Sequence, residues 1–274
     1  MSLVPLVLIA CLPLTAQEWT GSGAPQSDRW TGSVGAMALT YPSAPGSASN
    51  RTVLLPTASA QYGKFYLGSS RVAVGFGGGV QLWRTPAWTW ELGLGVGDGR
   101  PESRAPELAG MGDRGRSVWA GTGVQWRNRG WSARANLAHG LSDQGGNRAT
   151  AGVGRTFLLA PGWSLTAGLH ASWSDADNLA YDFGVSPEQA QRRSALVAAG
   201  DTRLKPGEVG PFAPGAGLRD AGGMLILAYR STPRLTWHGM LFGGTFQGDA
   251  RRSPLARRDS FLNAGLGFSY RLGD

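Results

Sequence analysis

The chain alternates. From Trp163 to Trp173 the apolar positions Trp163, Leu165, Ala167, Leu169, Ala171 and Trp173 are interleaved with Ser164, Thr166, Gly168, His170 and Ser172. A period of two places these sets on opposite faces of a β-strand. The pattern recurs. Val72, Val74, Phe76, Val80 and Leu82 stand against Arg71, Gly75, Gly77, Gly79 and Gln81. Trp88 to Val96 alternates with Thr89, Glu91, Gly93 and Gly95, and Trp131 to Leu137 with Ser132, Arg134 and Asn136. Leu262 to Leu272 alternates with Asn263, Gly265, Gly267, Ser269 and Arg271. Two segments depart from the rule: Ala149–Leu159 puts Arg155 beside Phe157, and Met224–Tyr229 is apolar on both faces.

A soluble β-sandwich also alternates, but two features point to lipid. At about 3.3 Å per residue and about 40° of tilt, Trp163 and Trp173 stand roughly 25 Å apart along a membrane normal. That is the height of the apolar band between the aromatic girdles of an outer-membrane barrel. The connections also alternate in length. Those at Arg84–Pro86, Arg127–Arg129, Ala160–Pro161 and Ser231–Pro233 are short; Pro42–Arg51, Asp98–Gly115, Ser174–Asp220 and Gln247–Asp259 are long. Short periplasmic turns and long outer loops characterise such barrels. The expectation is an all-β chain, a transmembrane antiparallel barrel of about twelve strands, or ten if the weak Lys64–Leu67 strand merges with its neighbour.

Composition refines this picture. The 43 glycines have no Gly-X-Y period, which excludes collagen. The formal charge of +8 is almost entirely Arg, spread along the chain without a nucleic-acid motif, so no nucleic-acid partner is expected. Residues 1–16 are expected to be a secretory signal peptide, with cleavage after Ala16, and 17–274 the barrel, its long outer loop spanning about 174–220. The single cysteine, Cys11, falls in that leader. Leu8-Ile9-Ala10-Cys11 looks like a lipoprotein box, but behind a short apolar segment. Without a Cys/His cluster no structural zinc or other metal is expected, and no cofactor.

Within the long loop, Asp177-Asn-Leu-Ala-Tyr181-Asp-Phe183-Gly184-Val185-Ser186 resembles the signature of the MipA/OmpV family of outer-membrane proteins. The resemblance continues with Phe212-Ala-Pro-Gly215-Ala-Gly217-Leu-Arg-Asp220 and Gly248-Asp249-Ala250-Arg-Arg-Ser253-Pro254, and covers nearly the whole mature chain. Val197–Pro211 reads as an insertion relative to the family. The resemblance implies a barrel in the outer membrane of a Gram-negative bacterium, in contact with lipid and lipopolysaccharide. It also implies a scaffold joining a lytic transglycosylase to a bifunctional murein synthase in peptidoglycan remodelling of the cell envelope. It brings no catalytic residues. A small-solute pore and a lipid-modifying enzyme are the alternatives.

Candidate chemistry is sparse. His170 and Ser172 share a face, as a hydrolase pair would, but that face is the lumen. Neither Glu188 nor Asp182 is selected by spacing as the third member. Asp175, Asp177 and Asp182 lack the glycine and terminal Glu of a calcium loop and read as solvated, or as partners of Arg192 and Arg193. Arg251, Arg252, Arg257 and Arg258 are candidates for lipopolysaccharide phosphate, or ordinary loop charge. Gln81, Glu91, Arg134, His170, Ser172 and Arg271 are expected to be lumen-facing, with the charged ones in a polar network that obstructs the barrel.

Overall fold

The computed structural model describes residues 29–142 and 145–273. The leader expected at residues 1–16 lies outside them. Twelve strands follow in order: β1 (Thr31–Pro42), β2 (Asn50–Tyr62), β3 (Phe65–Ser69), β4 (Phe76–Arg84), β5 (Trp88–Gly97), β6 (Ser117–Asn128), β7 (Trp131–Gly140), β8 (Asn147–Ala160), β9 (Trp163–Ser174), β10 (Gly217–Arg230), β11 (Leu235–Phe246) and β12 (Ser260–Leu272). Each pairs antiparallel with its neighbours, and β1 closes on β12, so the sheet is a closed barrel without edges. No described helix is long and apolar enough to cross a membrane; the crossing is made by strands.

The face assignment follows the alternation. Leu54, Leu94, Leu137, Leu169, Leu241, Leu262 and Leu266 are exposed on the outer wall. Aromatic residues gather there near the short turns: Trp163 stacks on Tyr229 at 4.4 Å, and Trp237 packs on Phe268 at 5.6 Å. These rings suit the interface between hydrocarbon and headgroups. Arg155, the first irregularity, lies on this wall with its guanidinium 5.1 Å from the ring centres of both Trp131 and Phe157. Its position in the aromatic girdle lets the charge reach headgroups while the stem stays in apolar surroundings.

The expected twelve strands are present, and one expectation changes. The Lys64–Leu67 segment does not merge with its neighbour: Phe65–Ser69 is a separate short strand, giving twelve. Val72 and Val74 are not on a strand. β4 begins only at Phe76, and Ser70–Gly75 folds inward, leaving Val72 4% exposed inside the barrel. A Ser70 N–H bond to the Gly75 carbonyl at 2.8 Å closes this loop on itself, ending the alternation that the sequence continues. The both-faces-apolar stretch in β10 also has a reason: Met224 and Ile226 turn inward and join Leu39, Tyr41, Met240 and Phe242 in a buried cluster. One side of the lumen is thus a hydrophobic core.

Candidate functional site: a filled lumen under a lid

The inward Ser70–Gly75 loop lies against β5 and β6, where the wall is glycine. A Cβ on Gly121 would stand 2.1 Å from the Val72 carbonyl oxygen, and one on Gly95 2.3 Å from that of Val74. Only glycine lets the two backbones approach so closely. The loop carries Arg71 into the barrel, where it donates to Glu91 Oε1 at 3.2 Å and Gln61 Oε1 at 3.4 Å and lies over the Tyr66 ring. Gln81 Nε2 donates to the same Glu91 oxygen at 3.2 Å, and Asn136 Nδ2 to the Arg71 carbonyl at 3.3 Å. Gln81 and Glu91 are therefore brought together, with Arg71 as the partner the strand reading misplaced.

Between this loop and β7–β10 remains a cavity of ≈ 70 Å³, lined in part by Arg134, Arg148, His170, Ser172 and Asp220. Arg271 is elsewhere, exposed at the short-turn end. The sequence reading found no acid to face His170 on its own strand. The neighbouring strand supplies one: Asp220 Oδ1 lies 3.5 Å from His170 Nε2, with Ser172 directly across from Asp220 in the ladder. The imidazole stacks on Phe242 at 4.3 Å. Ser172 Oγ lies across from the Asp220 carboxylate but makes no well-formed hydrogen bond to the imidazole. Asp182 pairs instead with Arg219 at 2.7 Å, and Glu188 accepts from the Ser186 hydroxyl at 2.7 Å.

The long loops close the outer mouth as a packed lid. The loop after β9 forms two helices, α1 (Ala176–Phe183) and α2 (Pro187–Ala198), and the loop after β11 a short α3 (Gly248–Arg252). Asp175 caps α1 by accepting from Asn178 N–H, and Ser186 and Gln189 form a reciprocal capping box on α2 with Pro187 at its first turn. The Ser-Pro-Glu-Gln string was a legible start signal that a reading centred on strands passed over. Burial pushes the Asp175 carboxyl up, but the N–H groups of Asn178 and Asn147 outweigh it and hold the group below its usual range.

The residues that carried the family resemblance are the joints of this lid. Phe183 is fully buried and meets Phe246 edge-on at 5.3 Å. Its carbonyl accepts from Ser253 Oγ at 2.6 Å. Val185 exchanges backbone bonds with Phe212, and Asp249 Oδ2 accepts from Gly215 N–H at 2.7 Å. The Tyr181 carbonyl accepts from Arg114, whose guanidinium lies over the Tyr181 ring. Gly184 follows α1 as its cap, Gly217 opens β10, Gly248 takes a positive φ of 50° and Pro254 follows Ser253 out of α3.

At the lid's centre sits Arg193, 0% exposed, donating to the carbonyls of Glu107 at 2.7 Å, Ala109 at 3.0 Å and Glu208 at 2.9 Å. Arg192 donates to the Gly110 carbonyl at 3.1 Å. Neither serves an aspartate, so of the two readings left open for the loop carboxylates the pairing with Arg192 and Arg193 does not hold: backbone carbonyls in the loops take these donors. The outer arginines divide. Arg257 turns inward to Glu208 at 2.6 Å, while Arg251 and Arg252 stay on the surface beside Asp259 and Asp249.

Among solved structures the chain resembles a KdgM porin (10% identity, TM-score 0.42, 88% of this chain and 99% of that chain). It also resembles a NanC porin (10%, 0.45, 87% and 100%) and OprB of Pseudomonas putida (10%, 0.41, 89% and 94%). No curated protein sequence matches it. Residues 34–272 match the family described as MltA-interacting protein MipA. The chain belongs to the MipA family: it is a twelve-stranded β-barrel of the outer membrane of a Gram-negative bacterium.

Proposed function

We propose that this barrel is a non-conducting, non-enzymatic scaffold of the cell envelope that docks murein-processing enzymes: a lytic transglycosylase and, through it, a bifunctional murein synthase. The observation that carries this reading is the filled lumen. An inward loop, an apolar core and a packed lid occupy the path a porin leaves open. The family description supplies the partner class, since it names interaction with MltA; fold alone would not. Ser172, which makes no well-formed hydrogen bond to the imidazole and is enclosed on the lumen side, supports the non-enzymatic reading.

Two measurements test the proposal. Purified barrel in planar bilayers should give no stepwise conductance. Immobilised barrel should retain a purified MltA-type transglycosylase, whereas an unrelated barrel should not. Stable unitary currents together with failure to bind the transglycosylase would replace the scaffold with a pore.

A further inference from the structure

The barrel wall is not equally high all round. No strand ends the sheet, but β3 has five residues where its neighbour β2 has thirteen. At about 3.3 Å per residue and about 40° of tilt, β3 rises roughly 10 Å from its periplasmic turn and β2 roughly 30 Å. β4 starts beside the end of β3, Phe76 pairing with Ser69, and the chain between them turns into the lumen. An apolar band about 25 Å tall therefore meets, in its outer half, a notch above β3 and against the side of β2.

β2 pairs with β1 along its whole length, but with β3 only from Ala60 to Tyr62. Among the described residues no strand covers that side of β2 from Asn50 to Ser59. Contacts at the foot of the notch show which backbone groups face it. The Ser59 carbonyl points to β1, where a Cβ on Gly32 would stand 2.6 Å away; the Ala58 carbonyl points the other way, 3.1 Å from a Cβ on Gly68. Alternate residues of a strand turn their N–H and C=O the same way, so Pro56, Leu54 and Thr52 face the notch with Ala58. Pro56 is the deepest of the three and has no N–H to strand in hydrocarbon. Thr57, on the lumen face opposite Gly35, is exposed rather than buried. Val53, on the same face, packs against the apolar cluster that holds Leu39, Met240 and Phe242, so the interior behind β2 is apolar.

The top of the notch is polar. Tyr62 packs on Trp30 at 5.2 Å at the periplasmic end of β2. Thr52, ten residues along the same strand, stands about 25 Å higher along the membrane normal, at the outer headgroups. Its hydroxyl lies 2.8 Å from that of Thr40, and beside it the Arg51 guanidinium lies 5.5 Å from the centre of the Tyr41 ring. Guanidinium binds phosphate through paired N–H donors. Just below, Leu54 turns one N–H and one C=O to the notch. An amide answers both, whereas an ester answers only the N–H. Lipid A, the acylated glucosamine phosphate that anchors lipopolysaccharide, joins acyl chains to its sugars through amides as well as esters. Phospholipids with glycerol backbones use esters alone.

We propose that the notch above β3 is a binding site for one acyl chain of lipid A, with the chain's amide on the edge of β2 at Leu54 and a lipid A phosphate on Arg51. The bound chain completes the wall where β3 stops and fixes the barrel in the outer leaflet. The site does not depend on the scaffold reading, because lipid binding and enzyme docking have separate readouts.

The test is photo-crosslinking in a defined bilayer. A benzophenone amino acid is placed at Thr57, at the foot of the notch, or at Leu169 on β9, which is paired on both sides. Each barrel is reconstituted in vesicles of phosphatidylethanolamine and phosphatidylglycerol with a minority of lipid A, irradiated, and its adducts are identified by mass spectrometry. The Thr57 probe should capture lipid A several-fold above its share of the vesicle, and the Leu169 probe should capture each lipid in proportion to its share. Arg51→Gln should bring lipid A capture at Thr57 down to that share. Native mass spectrometry of lipid retained by wild type and by Arg51→Gln repeats the comparison without a probe, so the proposal stays testable if the labelled barrel fails to assemble; heat-modifiability confirms folding. Three results overturn the proposal. Absence of lipid on the Thr57 probe means a sealed wall. Capture in proportion to vesicle composition means ordinary phospholipid packing. An adduct with residues 17–28 of the same chain means that the protein fills its own notch.

Discussion

Arg193→Met tests whether the lid is a built structure or a loose collection of loops. Methionine keeps much of the apolar stem but removes the guanidinium, leaving the carbonyls of Glu107, Ala109 and Glu208 buried without their donor. A buried group stranded in this way costs about 1–3 kcal/mol, and three of them together set an expectation of about 3–5 kcal/mol, allowing for partial relaxation. Gly110 has no freedom to close the gap: its φ of 79° and its contact with Arg193 fix the turn around the missing side chain. At about 1.4 kcal/mol per factor of ten, 3 kcal/mol raises the open fraction of the lid at least ~100-fold. The assay is limited proteolysis of the α1–α2 loop in folded barrel, at protease levels where cleavage follows the open population. The barrel strands should be untouched, so gel mobility before boiling should match wild type. A cleavage rate within about threefold of wild type would refute the argument that these bonds hold the lid, since it leaves less than about 0.7 kcal/mol for all of them.

Other predictions follow from the same geometry. Leu266→Arg places a charge on the lipid wall, where Leu266 is 66% exposed, and should cost about 2–4 kcal/mol of barrel stability in urea unfolding. Gly265→Ser, on the lumen face, should destabilise measurably rather than be silent, because a Cβ there meets Met240 Cγ at 2.8 Å and Leu39 Cδ1 at 3.1 Å. Gly121→Val should expel the Ser70–Gly75 loop from its seat against β6 and raise conductance above that of wild type; a bilayer trace identical to wild type would show that the loop is not what closes this side. The lid should also respond to acid. The Asp175 and Glu208 carboxyls are raised by burial, but hydrogen bonds to Asn178 and Asn147, and the Arg257 guanidinium, bring both below their usual range. A depressed folded-state pKa gives stabilisation that is complete above about pH 4 and lost as pH falls through the folded values. Spin labels at Glu188→Cys and Arg251→Cys should therefore hold one distance from neutrality to about pH 4 and broaden only below it. Broadening at pH 6 would contradict the assignment.

The wall of this barrel is written in the sequence because it is a local property. A period of two decides which face each residue of β5, β7, β9 and β12 presents, and hydrocarbon on one side tolerates little error, so Trp163, Leu169 and Leu266 declare their direction without knowledge of their neighbours. The order of short and long connections is local in the same sense. The filling of the barrel is not. Val72 and Val74 continue an alternating string yet leave the sheet, since what seats them is glycine 49 and 21 residues away along the chain, Gly121 against Val72 and Gly95 against Val74. Asp220 reaches His170 only because β10 pairs with β9 in one register across a lid of two helices. Arg193 reads in sequence only as a candidate partner for loop aspartates, and becomes the centre of the lid when loops more than eighty residues apart bring their carbonyls to it. Sequence alone therefore determined the boundary with lipid, where each residue is judged by the solvent it meets. Tertiary structure decided the interior, where each residue is judged by partners that only closure of the sheet brings within reach.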